Sequence, residues 1–112
     1  MTIQEKFDLT GRVAIVTGGV GLLGKEFCRT LVEAGAAVAC VDLNADATKK
    51  VADELVAGGY RAIGLATDIT KPEAVNAMVA ETLKAFGRID ILVNSAGMDP
   101  KFDPDAAAKG IA

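Results

Sequence analysis

The sequence contains no histidine and no tryptophan, and only two cysteines and one tyrosine. Without histidine, the commonest metal ligand and the commonest general base near neutral pH are both missing. Cys28 and Cys40 each stand in apolar stretches, which points to buried reduced thiols rather than a disulfide or a metal site. No apolar run approaches the ~18 residues of a membrane-spanning helix, and the N-terminus has no basic-then-apolar leader. A membrane location is therefore not expected, and the expected compartment is the cytoplasm. Lys and Arg number 12 against 15 Asp and Glu, a net charge of -3, and they form no basic patch. Nothing here suits nucleic acid or an anionic membrane surface as a partner. The 112 residues suffice for one domain, and with 51% hydrophobic residues they can build a core.

What is present is organised around Thr17-Gly18-Gly19-Val20-Gly21-Leu22-Leu23-Gly24. The stretch follows an apolar run, Val13-Ala14-Ile15-Val16, and leads into an amphipathic segment. A strand, a glycine-rich turn and a helix are expected. Glycine reaches backbone angles closed to other residues and lets a ligand approach the main chain. The helix directs unpaired N–H groups and its positive dipole end at the turn, which suits a pyrophosphate. A dinucleotide site is the leading reading, and a tight strand–helix turn without a ligand is the alternative.

Downstream, Leu23, Phe27, Leu31 and Ala34 recur at helical spacing and Gly35 is a natural stop. Ala36 to Val41 is a continuous apolar run ending in Asp42, the pattern of a strand buried on both faces of a parallel sheet. Asn44 is placed to cap a second helix with a stripe of Ala47, Val51 and Leu55, ending at Gly58-Gly59. A third strand is expected from Ala62 to Ala66. Thr70 is read as the cap of a third helix, with Pro72 in its first turn and Glu73 at the capping-box position. Ala74, Val75, Met78, Val79, Leu83 and Phe86 would form that helix's buried face, and Gly87 its end. A fourth strand is expected over Ile89 to Val93, interrupted by Asp90. Phe7 and Leu9 are read as anchors for the N-terminal segment. Asp99-Pro100 and Asp103-Pro104 mark turns, and a helix could start within Asp105 to Lys109.

Alternation of strands and helices with short links implies an α/β fold: three layers, a parallel sheet of four strands in the order 3-2-1-4, and helices on both faces. The expected domain is 1–97, with 98–112 as a tail that begins a second half. Ligands in such sheets bind at the carboxyl ends of the strands, near where the strand order reverses. The glycine turn, Asp42, Asp68 and Asn94 all fall on that edge. Asp42 stands 18 residues after Gly24, where a carboxylate can accept from both hydroxyls of an adenosine ribose and repel a 2′-phosphate. That favours NAD over NADP. A turn or helix-capping aspartate is the alternative. Asp68 could accept from an adenine amine or simply shape the turn before Thr70. Asn94 could tie the fourth strand to its neighbour or line the cofactor path. Ala96-Gly97 leaves room for a sugar or nicotinamide near the backbone.

Phe7-Asp8-Leu9-Thr10-Gly11-Arg12-Val13-Ala14-Ile15-Val16-Thr17-Gly18-Gly19 resembles the opening of short-chain dehydrogenases/reductases. Asp68-Ile69, and Asn94-Ser95-Ala96-Gly97 after Asp90-Ile91-Leu92-Val93, resemble the same family's adenine-contact and sheet-stabilising motifs. The resemblance implies an NAD(P)-binding Rossmann fold and hydride transfer at an alcohol or carbonyl carbon. It implies cofactor contacts from Thr17, Gly18, Gly21, Leu22, Leu23, Gly24, Asp42, Leu43, Asp68, Ile69, Asn94, Ala96 and Gly97. Two departures stand out. Leu22 occupies the family's usual middle glycine, a spacing closer to the longer, epimerase-type branch, and Ser95 replaces a second asparagine.

The family's catalytic tyrosine, the lysine four residues beyond it, and its serine have no counterpart among these residues. Tyr60 is followed four residues later by Gly64 and precedes the third strand, on the edge away from the cofactor. Ser95 belongs to the Asn-Ser-Ala-Gly motif and is not assigned a catalytic role. The chain alone is therefore expected to bind a dinucleotide without turnover, and to meet an alcohol or carbonyl substrate only with a second half present. The fourth strand would offer an open apolar edge, so a homo-oligomer is expected. Two other functions compete: a nucleotide-sugar epimerase or dehydratase, and a non-catalytic module that binds cofactor or associates with a partner.

Overall fold

The computed structural model describes residues 6–95. Its elements run β1 Val13–Thr17, α1 Leu22–Glu33, β2 Ala37–Asp42, α2 Ala45–Ala57, β3 Ala62–Ala66, α3 Pro72–Phe86 and β4 Ile91–Asn94. The strands form one parallel sheet in the order β3-β2-β1-β4, as the alternation predicts. β1 and β2 lie in the middle, and every residue from Val13 to Thr17 and from Ala37 to Val41 is buried. Val13, Val16, Val38 and Val41 are among the largest fully buried side chains. Each contributes about 1.5–3 kcal/mol by leaving water. Alternate residues of these strands face opposite layers. Ala14, Val16, Val38 and Cys40 pack with Cys28 and Val32 of α1 and Val51 of α2. Ile15, Ala39 and Val41 pack with Met78 of α3 on the other side.

Local chemistry sets the ends of most elements. Asn44 caps α2 as expected, its Oδ1 accepting from the Ala47 N–H at 3.0 Å. Gly35 and Gly87 adopt left-handed backbone angles after α1 and α3. Thr70 does not cap α3. The N-cap is Lys71, without a side-chain bond, so Glu73 falls one position short of a capping box. Thr70 instead turns back and donates to Asp68. The face of α1 is also displaced from the expected stripe. Gly24, Cys28 and Val32 are buried, whereas Leu23 is exposed. The helix is drawn against the sheet along its smallest residues, and that rotates Leu23 outward. In α2 the buried face centres on Thr48, Val51 and Ala52. In α3 it centres on Met78 and Thr82, with Leu83 exposed. Phe7 is 70% exposed and anchors nothing, while Leu9 is held by its N–H to the Ala34 carbonyl at 2.7 Å.

β4 begins two residues later than the apolar run suggests, at Ile91, because Asp90 has another role. Its N–H donates to the Val13 carbonyl at 2.8 Å, and its Oδ2 accepts from the Val13 N–H at 2.9 Å. Arg88 grips the same carboxylate with Nε and Nη2. Hydrogen bonds from Arg88 hold the Asp90 carboxyl below the usual carboxylate range, against an opposing desolvation, with help from the Val13 N–H and the charges of Arg88 and Arg12. A carboxyl whose folded pKa is depressed stabilises the fold above its unfolded pKa of about 4, and loses that contribution as pH falls through the folded value. Asp90→Asn is therefore expected to lower the melting temperature at pH 7, with the gap to wild type closing towards pH 3. Thermal melts across that range check this; a gap that ignores pH contradicts it. β4 is an edge strand among the described residues, with Leu92 65% exposed.

Candidate functional site

The carboxyl ends of β1, β2 and β3 open into a cleft of about 280 Å³. Its first wall is the glycine turn. Gly18 has φ +68°, a left-handed angle that ordinary side chains resist, and this lifts the chain off the end of β1. The Gly21 N–H then donates to the Gly18 carbonyl at 3.1 Å, and α1 starts at Leu22. Gly24 lets α1 sit directly on the turn, because a Cβ there would collide with the Gly18 carbonyl oxygen and lie 2.8 Å from Gly19 Cα. No side chain caps α1 and no acidic residue stands in its first turn. Its leading N–H groups and positive dipole end are left to face the cleft.

The second wall is Asp42. Its Oδ1 accepts from the Leu43 N–H at 2.7 Å and its Oδ2 from the Val20 N–H at 3.4 Å. These bonds fix the carboxylate's orientation and tie it to the glycine turn. Asp68 stands at the third wall, its Oδ1 accepting from the Thr70 N–H at 3.0 Å and from Thr70 Oγ1 at 2.6 Å. The Thr70 hydroxyl, then its N–H, holds this carboxyl below its ordinary value, so Asp68 is anionic at neutral pH. Leu22 and Leu43 are 72% and 71% exposed and, with Ile69, give the cleft an apolar rim. The lining contains two carboxylates and no Lys or Arg among the described residues. The arrangement can accept hydrogen bonds from hydroxyls, offer N–H groups to an anion, and hold a flat apolar ring between aliphatic side chains.

The sequence profile of the family described as short chain dehydrogenase matches residues 12–110. The chain belongs to this family. It is 40% identical over 94 residues to the 7alpha-hydroxysteroid dehydrogenase of Escherichia coli K12, covering 84% of this chain and 37% of the relative. It is 44% identical over 91 residues to the (2S)-[(R)-hydroxy(phenyl)methyl]succinyl-CoA dehydrogenase subunit BbsD of Thauera aromatica, covering 81% and 37%. Among solved structures, 7 alpha-hydroxysteroid dehydrogenase complexed with NADH and 7-oxo glycochenodeoxycholic acid superposes with a TM-score of 0.79 at 37% identity. That match covers 84% of this chain and 37% of the other. The chain thus spans about two fifths of the length of such relatives.

Of the cofactor residues that the short-chain dehydrogenase resemblance implies, Gly18, Gly21, Leu22, Leu23, Gly24, Asp42, Leu43, Asp68 and Ile69 line the cleft. Thr17 and Asn94 do not. The Thr17 hydroxyl donates to Asn94 Oδ1 at 2.9 Å, so the pair ties β4 to β1 beneath the cleft floor. Ala96 and Gly97, with the turns and helix start expected beyond them, lie outside the described residues. Val41, Thr67, Thr70 and Ser95 also line the cleft. Parallel-strand topology could have flagged them, since Val41 and Thr67 adjoin two of the predicted polar positions. Ser95 is buried and its hydroxyl donates to the Thr17 carbonyl, which closes the floor. Tyr60 is far from this edge, in a groove with Lys25, Arg29 and Glu54 between α1 and α2. Cys28 and Cys40 are buried free thiols. Among the described residues there is no cluster fit to hold a metal ion and no helix long and apolar enough to cross a membrane.

Proposed function

We propose that this chain is the NAD-binding portion of a short-chain dehydrogenase/reductase that moves a hydride between NAD(H) and an alcohol or carbonyl carbon. The observation that carries the reading is the convergence of Asp42 and the uncapped start of α1 on one cleft. In it, the N–H groups of the α1 start receive the pyrophosphate, Asp42 accepts from the adenosine ribose hydroxyls, and Asp68 and Ile69 flank the adenine. The NADH complex of the similar 7 alpha-hydroxysteroid dehydrogenase structure supports the same class of ligand. Bound NAD supplies the hydride acceptor; the chain's own residues bind and orient it. Two carboxylates with no cation in the lining among the described residues disfavour a 2′-phosphate, which favours NAD over NADP. The tyrosine–lysine pair of the family has no counterpart here, so these residues bind cofactor without turning over.

Calorimetric titration of the protein with NADH and NADPH tests this. NADH is expected to bind, and NADPH at least about tenfold more weakly, a difference of about 1.4 kcal/mol. A folded protein that binds neither, or that prefers NADPH, contradicts the reading.

A further inference from the structure

Cys40 does not line the cleft, yet the glycine turn rests on it. Gly19 lies directly over β2: a Cβ built there would stand 2.5 Å from Cys40 Sγ, 3.1 Å from the Val16 carbonyl and 3.3 Å from the Val41 nitrogen. The Gly19 N–H donates to the Val41 carbonyl at 3.0 Å, as though the turn were a short continuation of the sheet. One residue on, the Val20 N–H reaches Asp42. The turn is therefore pinned to the end of β2 by two backbone donors with a sulfur between them. Cys40 is itself held. It is fully buried in the layer shared with Cys28 of α1. The neighbouring Cys40 thiol, and then burial, push the Cys28 thiol's pKa up, so Cys28 keeps its proton. Cysteine has one side-chain torsion to the sulfur, so close packing around it fixes the sulfur's position.

We propose that Cys40 is a positioning residue of the dinucleotide site, its sulfur forming the seat that sets the height of the Gly19 turn and hence the aim of the turn towards the pyrophosphate. The inference rests on the dinucleotide reading above. Sulfur and glycine are a matched pair here. The seat requires a side chain no larger than cysteine at 40, and the sulfur requires no side chain at 19. Protein interiors are packed closely enough that one extra methyl group at such a contact is felt. The rest of β2 supplies an internal comparison, since Ala39 is equally buried but faces the opposite layer, away from the turn.

The test is a double-substitution cycle read by NADH affinity, with Ala39→Val as the packing control. Gly19→Ala is expected to weaken NADH binding about tenfold, by driving a methyl group into the sulfur. Cys40→Ala removes the sulfur, so the combined Gly19→Ala/Cys40→Ala protein is expected to bind NADH several-fold more tightly than Gly19→Ala alone. Additive effects, with the combined protein no tighter than Gly19→Ala, overturn the proposal. Should Gly19→Ala fail to fold, Cys40→Val carries the test. It is expected to weaken NADH binding while Ala39→Val lowers the melting temperature and leaves affinity unchanged. Wild-type affinity in Cys40→Val, or equal weakening by both valines, overturns it. A wild-type protein that binds no dinucleotide removes the reading beneath; a wild-type protein that binds while the variants behave additively removes only the role of Cys40.

Discussion

Gly24→Ala is expected to destabilise the protein by about 2–4 kcal/mol and to abolish measurable NADH binding. Alanine is the better helix former by about 1 kcal/mol, so propensity alone predicts the opposite sign. Packing decides it. The new Cβ would collide with the Gly18 carbonyl oxygen, with Gly18 C and Gly19 Cα each 2.8 Å away, and all three are backbone atoms of the turn. Relief requires α1 to move off the turn, which spoils the aim of its N-terminus. Gly64→Ala is the comparison. Its Cβ would collide with the backbone of Thr48 in α2, far from the cleft lining. It should destabilise by a similar amount while the folded fraction still binds NADH normally. Urea unfolding with parallel NADH titration separates the two. An unchanged urea midpoint for Gly24→Ala, or equal loss of binding in both variants, contradicts the account.

Asp42→Ala is the second large effect. Hydrogen bonds to a charged acceptor are worth about 1.5–3 kcal/mol, so losing the ribose contacts should weaken NADH about 10–100-fold. NADPH should lose less, because the repulsion of its 2′-phosphate disappears, and the ratio between the cofactors should narrow. The carboxylate also serves the Leu43 and Val20 N–H groups, so some of the loss will come from a loosened turn. Asp42→Asn separates these effects, since its amide oxygen can still accept from one backbone donor while the charge is gone. Titrations of both variants with both cofactors measure the split. Unchanged affinity for both cofactors in Asp42→Ala removes the residue from the site.

Much of this was legible before the structure. Continuous apolar runs placed β1 and β2 at the centre of a parallel sheet, since only strands covered on both faces dispense with polar alternation. The alternation of elements then gave the order 3-2-1-4, and the order gave the edge where Asp42 and Asp68 meet the glycine turn. What escaped reading was phase rather than period. The spacing of Leu23, Phe27 and Leu31 identified α1, but close approach along Gly24 and Cys28 chose its buried face, and apolar pattern alone gives small residues little weight. Asp90 looked like an interruption of a strand; it is the residue that satisfies the first N–H of β1. Thr70 looked like a cap because its type suits one, but Asp68 two residues earlier offered its hydroxyl and N–H a closer acceptor.

Amide NMR shifts on titrating the ¹⁵N-labelled protein with NADH test the central claim most directly. The account predicts that the largest shifts fall on Gly18 to Gly24, on Asp42 and Leu43, and on Asp68 and Ile69, with Tyr60 and the α2 surface unmoved. Shifts centred in the groove around Tyr60, or none as NADH is raised to about 1 mM, would contradict it.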